Sequence, residues 1–172
     1  IFTEIVIAPK ITKEAKSCLS KRKNLILIEH KSKKKQDSLH FKSTRNLLLI
    51  QEYNNKSVSR KDLKFVTKKK PSLKTIEDLL FAFTVCKYVN SNAVVVANNK
   101  SVTGIGVGQT NRIDATKHAI NQSLENFKNR KDIVLASDGF FPFSDIIEIC
   151  KNNGIKAVIQ PGMVWFIGTN KC

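Results

Sequence analysis

The chain has 172 residues, enough for one domain and part of another, and its 41% hydrophobic content indicates a buried core, which excludes wholesale disorder. The 30 Lys and Arg residues outnumber the 14 Asp and Glu residues and give a net charge of +16, but 25 of these cations are Lys. Because specific nucleic-acid readers depend on Arg, the charge does not by itself predict nucleic acid as a partner, and no apolar run approaches the roughly 20 residues that cross a bilayer.

The first 70 residues are predicted to hold three strands and one helix. The strands are predicted at residues 4–8, 24–29 and 46–53, and the helix at 12–19. Two basic runs, at 31–35 and 68–70, contain no aromatic residues that would stack on bases, so they are predicted to be solvated loops. A polar segment follows the third strand and contains Pro71, which predicts a boundary there.

The second part of the chain is predicted to alternate helices and strands. Ser72 is a candidate helix cap, and the predicted elements are a helix at 72–89, strands at 93–98 and 102–107, a helix at 114–127, a strand at 133–137, a helix at 144–152 and a strand at 157–160. The resulting order, α-β-β-α-β-α-β, predicts an α/β layered sheet with helices on its faces. It is also the order of the cytidine-deaminase-like fold.

Zinc chemistry is not predicted. Deaminases that bind zinc carry an HxE motif followed by PCxxC, and none of the three His residues here has Glu two positions later. The four cysteines, Cys18, Cys86, Cys150 and Cys172, are far apart and form no metal-ligand spacing, so we expect free thiols in a reducing cytosol.

Two features near residue 110 have alternative explanations. The GxGxG motif at 104–108 differs from the GxGxxG of dinucleotide sites, which favours a tight strand-to-helix turn. Arg112 lies near the N-terminus of the next predicted helix, where the helix dipole disfavours a cation unless an anion or a carboxylate lies nearby. Either a bound anion or a local pair with Asp114 would account for Arg112.

The segment SDGFFPFSD, at 137–145, places three Phe residues around a Pro between Asp138 and Asp145. An apolar wall with carboxylates suits a flat heterocycle. The alternative is that the Phe residues fill the core while Asp145 caps a helix, and the residues alone favour this alternative. Similarly, Ser91 and Asn92 form either a polar binding corner or a helix stop.

Several segments together resemble one enzyme family. They are DLLFAFTVCKYVNSNAVVVANN at 78–99, VTGIGVGQTNRID at 102–114, SDGFFPFSD at 137–145 and GIKAVIQPG at 154–162. In order and spacing they resemble the bifunctional purine-biosynthesis enzymes with AICAR transformylase and IMP cyclohydrolase activities. EIVIAP and KRKNLILIE, near the start, are similar to the same family, so the resemblance covers residues 1–162.

The resemblance implies transfer of a formyl group from the cosubstrate 10-formyltetrahydrofolate to AICAR, followed in a separate domain by ring closure to IMP. It implies two deaminase-like subdomains, with the end of the first and a linker at 1–70, the second at 71–162, and a divergent tail at 163–172. It further implies a cytoplasmic homodimer acting on these two small molecules, with no nucleic acid, membrane or zinc.

Site residues are carried over from the family by position. The resemblance implies that AICAR is bound by Asn92 and Phe140, that folate is bound by Arg112, Ile113 and Asp145, and that Asp138 lies near a monovalent-cation site. The family's catalytic Lys-His pair has no counterpart in these residues, so the isolated chain is predicted to be inactive. The alternative is a non-catalytic folate- or nucleotide-binding module or a degraded relic.

Overall fold

The computed structural model describes residues 3–31, 39–127 and 132–167. The chain divides into two compact units, residues 1–55 and residues 56–172. This division precedes the boundary that the sequence predicts near Pro71, and the assignment of either part to a deaminase-like subdomain stays a prediction. Apart from Lys31, the predicted basic loop at 31–35 lies outside the described residues.

The first unit contains two small sheets. Strands β1 (Ile5–Ala8) and β2 (Ile26–Glu29) are parallel and are connected through helix α1 (Lys13–Leu19), which begins where the Thr12 side chain accepts a hydrogen bond from the Ala15 N–H at 3.2 Å. Strands β3 (Leu39–Thr44) and β4 (Leu47–Glu52) form an antiparallel hairpin. The predicted helix and three predicted strands are confirmed, whereas the sequence pattern does not predict β3.

The second unit is built on one five-stranded sheet. After a single 3-10 turn at Arg60–Asp62, its elements are α2 (Leu73–Cys86), β5 (Val94–Asn98), β6 (Ser101–Gly106), α3 (Arg112–Asn126), β7 (Val134–Ser137), α4 (Asp145–Asn152), β8 (Ala157–Gln160) and β9 (Met163–Phe166). The strand order is β6-β5-β7-β8-β9, in which only β7 and β8 are parallel. The predicted order of elements is confirmed, and it is followed by β9.

Strand β9 lies within the segment predicted to be a divergent tail. It pairs antiparallel with β8, with Met163 opposite Gln160, so the sheet continues into this segment. Residues 168–172 lie outside the described residues.

The sheet is covered on both faces, which makes this unit an α/β structure of three layers. One cluster of buried residues joins α2 to one face and includes Leu79 and Val95. The other cluster joins α3 and α4 to the opposite face and includes Ala119, Leu135 and Ile146. The longest described helix, α3, has 15 residues, and none of the described helices is long and apolar enough to cross a membrane.

Two local contacts explain how α2 and the β5–β6 turn are held. The Ser72 hydroxyl accepts a hydrogen bond from the Thr75 N–H at 3.3 Å, which confirms Ser72 as the cap of α2. The buried Asp78 carboxylate accepts hydrogen bonds from the N–H groups of Asn99, at 3.2 Å, and Lys100, at 2.8 Å. Both of these turn residues have positive φ, and Asp78 therefore fixes a turn in a conformation that most residues avoid.

The GxGxG motif is explained by packing between β6 and α3. A Cβ atom on Gly104 would lie 2.9 Å from the Ser123 nitrogen, and one on Gly106 would lie 2.8 Å from the Ala115 Cα. Side chains at these positions would force the helix away from the strand. Gly104 and Gly106 therefore lie within β6 and allow its close packing on α3, whereas the sequence favours a tight strand-to-helix turn for the motif. Only Gly108, which has a positive φ, lies between β6 and α3.

Candidate functional site

The predicted site residues lie along one edge of the five-stranded sheet. Strand β5 begins at this edge, and strands β6, β7 and β8 end there. Asn92 precedes β5, Arg112 begins α3 after β6, and the Phe-rich segment follows β7. In open α/β sheets, ligands bind preferentially in crevices at the carboxyl ends of strands, so the edge is a favourable position for a site.

Asn92 belongs to a corner formed by two chain segments. Its backbone N–H and its side-chain Nδ2 both donate to the Gln109 carbonyl, at 3.3 and 2.9 Å. The Gly108 N–H donates in turn to the Asn90 carbonyl at 2.9 Å. These bonds fix the start of β5 against the loop that leads from β6 into α3, and hence relative to Arg112.

Arg112 forms an ion pair with Asp138, not with Asp114. Its Nη1 donates to Asp138 Oδ1 and also, at 3.1 Å, to the Ser137 hydroxyl. Asp114 instead bonds to Asn111, which caps α3: the Asp114 N–H donates to Asn111 Oδ1 at 2.8 Å. The alternative that Arg112 is neutralised by its sequence neighbour is therefore wrong, and the partner comes from the end of β7.

The Asp138 carboxylate accepts hydrogen bonds from three protein groups. Its Oδ2 accepts a hydrogen bond from the Ser91 hydroxyl, and its Oδ1 accepts one from the Ala93 N–H at 3.1 Å in addition to the bond from Arg112. Burial by itself raises the pKa of Asp138, but the bonds from Ser91, Arg112 and Ala93 outweigh burial and hold the pKa below its ordinary value. Asp138 is therefore an anion at neutral pH.

The buried thiol of Cys86 lies next to Ala93, one of the residues that bond to Asp138. Its Sγ is 3.4 Å from the Ala93 carbonyl oxygen. Burial, and next the negative charge of Asp138, raise the pKa of Cys86 to about 12, so the group is a neutral thiol at physiological pH and is unsuited to act as a nucleophile.

The Phe-rich segment divides into exposed and packed rings. Phe140 and Phe143 are 66% and 71% exposed, whereas Phe141 is partly buried against the core between the sheet, α3 and α4. The Phe141 N–H donates to the side-chain oxygen of the buried Gln160 at 2.8 Å, which holds this segment to the end of β8. The expectation that all three rings fill the core is wrong for Phe140 and Phe143.

Asp145 and Ile113 stand in the first turns of the two helices on this face. Asp145 is the first residue of α4, and its Oδ1 accepts a hydrogen bond from the Ile146 N–H at 2.7 Å. Ser144 occupies the cap position without a side-chain capping bond, so Asp145 contributes part of the capping. Ile113 is half-buried against the core that α3 and α4 share with the sheet.

The comparisons with known proteins identify the family. The profile of the family described as "AICARFT/IMPCHase bienzyme" matches residues 1–122, which is more than two thirds of the chain. The chain belongs to this family. It is 47% identical over 161 residues to the bifunctional purine biosynthesis protein PurH of Fusobacterium nucleatum subsp. nucleatum, 47% over 163 residues to that of Caldicellulosiruptor bescii, and 44% over 163 residues to that of Buchnera aphidicola subsp. Schizaphis graminum.

Each of these alignments covers 94% of the chain but only 31% of the relative. The chain therefore spans about a third of the length of the relatives it matches. The alignments extend beyond residue 122, so the similarity to whole proteins includes the Phe-rich segment that the family profile does not reach.

A monovalent cation near Asp138, which the resemblance to this family implies, stays a prediction. Both carboxylate oxygens already accept hydrogen bonds from the protein, and Oδ1 pairs with the Arg112 guanidinium, whose charge would repel a second cation. Within residues 3–31, 39–127 and 132–167, no group of three or more His, Cys, Asp or Glu side chains is placed to hold a metal ion.

Two residues of the network, Ser91 and Ser137, have no ligand assigned to them from the sequence, although Ser91 is considered there with Asn92 as a polar corner. Ser91 contacts Asp138 across 47 positions of sequence, and Arg112 contacts Ser137 across 25. Their only signal in the sequence is that each stands beside a candidate residue at the end of an element. That signal does not distinguish a hydroxyl that bonds to the site from one exposed to solvent.

A separate cavity of about 330 Å³ lies against the face of the sheet that α2 covers. It is lined by residues between 56 and 64, by Phe83 of α2, and by residues 159–164. None of the predicted site residues lines it, so the cavity does not contribute to the arrangement around Arg112.

Proposed function

We propose that this chain forms part of the substrate-binding site of an AICAR transformylase, which transfers the formyl group of 10-formyltetrahydrofolate to AICAR. The enzyme would be bifunctional and would also close the ring to IMP. Membership of the AICARFT/IMPCHase family supports this proposal. The single observation that carries it is the alignment of Asn92, Arg112, Phe140 and Asp145 along one edge of the sheet.

The folate would be held by groups of three kinds. A pterin ring is planar and presents paired N–H donors, which suit the exposed Phe140 ring and the Asp145 carboxylate. The Arg112 guanidinium, which is paired with Asp138, would donate hydrogen bonds to the anionic part of the folate, while Ile113, next to it, would supply apolar contact. Phe140 would then line both the folate and the AICAR portions of the site.

AICAR would be held next to the folate, at the Asn92 corner. Asn92 carries an amide, which can bond to the donors and acceptors of the AICAR carboxamide. Because the bonds between Asn92 and Gln109 fix this corner relative to the start of α3, the two substrates would be held in a defined relative position. Holding two reactants at a fixed distance is a large part of the catalysis of a group transfer.

The transfer itself requires proton handling. The AICAR amine attacks the formyl carbon and forms a new C–N bond, the bond from that carbon to folate N10 breaks, the amine loses a proton and N10 gains one. A Lys-His pair is expected to move these protons in the family, and these 172 residues hold no counterpart of it. We therefore expect the 172-residue chain to bind the substrates but to show little formyl transfer.

The proposal extends to the architecture. Residues 1–70 would belong to the end of one cytidine-deaminase-like subdomain with its linker and residues 71–162 to a second. The intact enzyme would act as a cytoplasmic homodimer on small molecules, without nucleic acid or membrane as partners. The mixed α/β structure and its element order support the second subdomain.

Equilibrium dialysis with 5-formyltetrahydrofolate, a stable folate, tests the proposed site. Phe140→Ala is expected to weaken binding about tenfold, because it removes the stacking ring, whereas Phe143→Ala should leave binding within twofold. Both rings are exposed, so neither variant should disturb folding. Failure of the wild-type chain to bind, or equal losses in the two variants, would contradict the proposal.

A second pair of variants tests the carboxylate. Asp145→Ala should weaken binding of the same folate about tenfold or more, while Glu148→Ala, an exposed carboxylate in the same helix, should have no effect beyond twofold. An assay of AICAR-dependent tetrahydrofolate release should detect no product above background. Measurable release would overturn the expected inactivity of the isolated chain.

A further inference from the structure

The position of the Arg112 guanidinium is determined by a partner far away in sequence. Nη1 donates to Asp138 Oδ1 and to Ser137 Oγ. Ser137 is the last residue of β7, and Asp138 follows it. The guanidinium also lies against the backbone of Gly139, since a Cβ atom there would be 2.7 Å from Arg112 Cζ. The Arg112 side chain is thus in contact with three consecutive residues, Ser137, Asp138 and Gly139.

Asp138 is itself held rigidly. Its Oδ2 accepts from the Ser91 hydroxyl, its Oδ1 accepts from the Ala93 N–H at 3.1 Å, and its backbone N–H donates to the Ala93 carbonyl at 3.1 Å. The carboxylate is consequently fixed to the start of β5 as well as to the end of β7. Because the Asp138 carboxylate is itself held in place, it can hold the Arg112 guanidinium in one position, whereas a carboxylate on a free surface loop could not.

The positive charge of Arg112 requires the Asp138 carboxylate as its counter-ion. Arg112 is the first residue of α3, where the partial positive charge of the helix N-terminus opposes a cation. The side chains of Arg112 and Asp138 are only 20% and 15% exposed, so water screens neither charge fully. Removing Asp138 would leave a largely buried guanidinium without its counter-ion, and the side chain would turn toward solvent.

We propose that Asp138 is a positioning residue, which holds the Arg112 guanidinium in place at the folate-binding edge of the sheet, and that it is not the ligand of a monovalent cation. Ser91 and Ser137 act with it, one by orienting the carboxylate and the other by sharing the guanidinium. The inference rests on the proposed function only for the identity of the ligand.

The first test needs no folate. In ¹⁵N-labelled wild-type protein at low temperature, the guanidinium of Arg112, assigned with Arg112→Lys, should give separate Nη signals because its pairing restricts rotation. In Asp138→Asn, which keeps the size but removes the charge, these signals should merge. The matched control, Asp132→Asn, changes an exposed carboxylate paired with Lys156 and should leave the Arg112 signals unchanged. Merged signals in the wild type would overturn the proposal.

The second test measures the affinity for 5-formyltetrahydrofolate by dialysis. Asp138→Asn should weaken folate binding about tenfold, close to the effect of Arg112→Gln. The double variant should bind the folate with the same affinity as Arg112→Gln, within about twofold. Wild-type affinity in Asp138→Asn, or additive losses in the double variant, would overturn positioning. If the wild type binds no folate, the proposed function fails, and the Arg112 signals decide the positioning alone.

The third test distinguishes positioning from cation binding. Replacing potassium with choline at constant ionic strength should change the folate affinity of the wild type by less than twofold. A potassium-dependent affinity that disappears in Asp138→Asn would identify Asp138 as a cation ligand and overturn the proposal.

Discussion

The two units of the chain use similar apolar residues in opposite ways. In the described part of residues 1–55, Ile11 is the only buried residue, and the run Leu47 to Ile50 is between 56% and 68% exposed. In the second unit, every residue from Ala93 to Ala97 is buried, because helices cover both faces of the sheet. The strands of the two units are almost equally apolar in sequence.

This contrast shows that an apolar strand is not a core by itself. A two-stranded sheet leaves both of its faces uncovered unless other elements pack on it, and an isolated hairpin is only marginally stable in water. In the second unit, α2 and α3 supply the cover, so the hydrophobic effect stabilises that sheet. We therefore expect the free energy of unfolding of this chain to come almost entirely from residues 56–172.

The largest expected effect compares one leucine from each unit. Leu79→Ala removes a fully buried side chain of α2 and should lower the free energy of unfolding by about 2–5 kcal/mol. Leu48→Ala, at a position 58% exposed, should change it by less than about 0.5 kcal/mol. Urea denaturation followed by circular dichroism measures both, and similar losses would refute the contrast between the units.

The next effect concerns the buried carboxylate that holds the β5–β6 turn. Asp78→Ala leaves the N–H groups of Asn99 and Lys100 without their acceptor and should cost about 2–3 kcal/mol in the same denaturation assay. Its neighbour Glu77 is exposed and forms a surface ion pair with Lys100 at 2.8 Å, so Glu77→Gln should leave the urea midpoint almost unchanged. A cost for Glu77→Gln as large as that of Asp78→Ala would exclude this account of the turn.

A smaller effect compares equivalent helix caps in the two units. Ser72→Ala removes the hydroxyl that caps α2 and should lower the free energy of unfolding by about 1 kcal/mol. Thr12→Ala removes the corresponding group from α1 and should leave the urea midpoint unchanged, because the first unit contributes little to the transition. A midpoint shift in Thr12→Ala equal to that in Ser72→Ala would show that the two units unfold together.

The smallest expected effect is a dependence on pH. Because the pKa of Asp138 is lower in the folded than in the unfolded protein, its stabilisation is complete above the unfolded value, near pH 4, and is lost as the pH falls through the folded value. Between about pH 5 and pH 3, stability should therefore fall more in the wild type than in Asp138→Asn. Parallel profiles from urea denaturation at each pH would show that Asp138 does not contribute.

Much of the fold could be predicted because its signals are local. The helical spacing of apolar residues after Ser72, the β-rich run at 93–98 and the turn residues between β5 and β6 depend only on neighbouring residues, and all three are confirmed. Strand β9 and its pairing with β8 could not be predicted in this way. Residues 163–172 lie outside the segments that resemble the family, so the sequence marks them only as a divergent tail. The partner of β9 depends on which outer strand of the sheet is still unpaired, and a local pattern does not show this.

For the candidate site, the sequence indicated which segments contribute residues but not which side chains contact one another. Arg112, Phe140 and Asp145 were selected by their residue types and by resemblance, whereas the pairing of Arg112 with Asp138 joins the start of α3 to the end of β7. Similarly, the sequence could not distinguish the exposed Phe140 from the packed Phe141, because consecutive residues in a loop share the same composition but face different surroundings.

By itself, the amino-acid sequence determined the family, the element order of the second unit, the cap of α2 and the residue types available at the site. Only the tertiary structure decided that Asp138 neutralises Arg112, that Gln160 holds the Phe-rich segment, and that the strands of the first unit remain exposed. The physical reason is the separation in sequence over which each interaction acts. Helix propensity and helix capping depend on residues within one or two helical turns. Ion pairs and burial depend instead on which distant segments the folded sheet brings together.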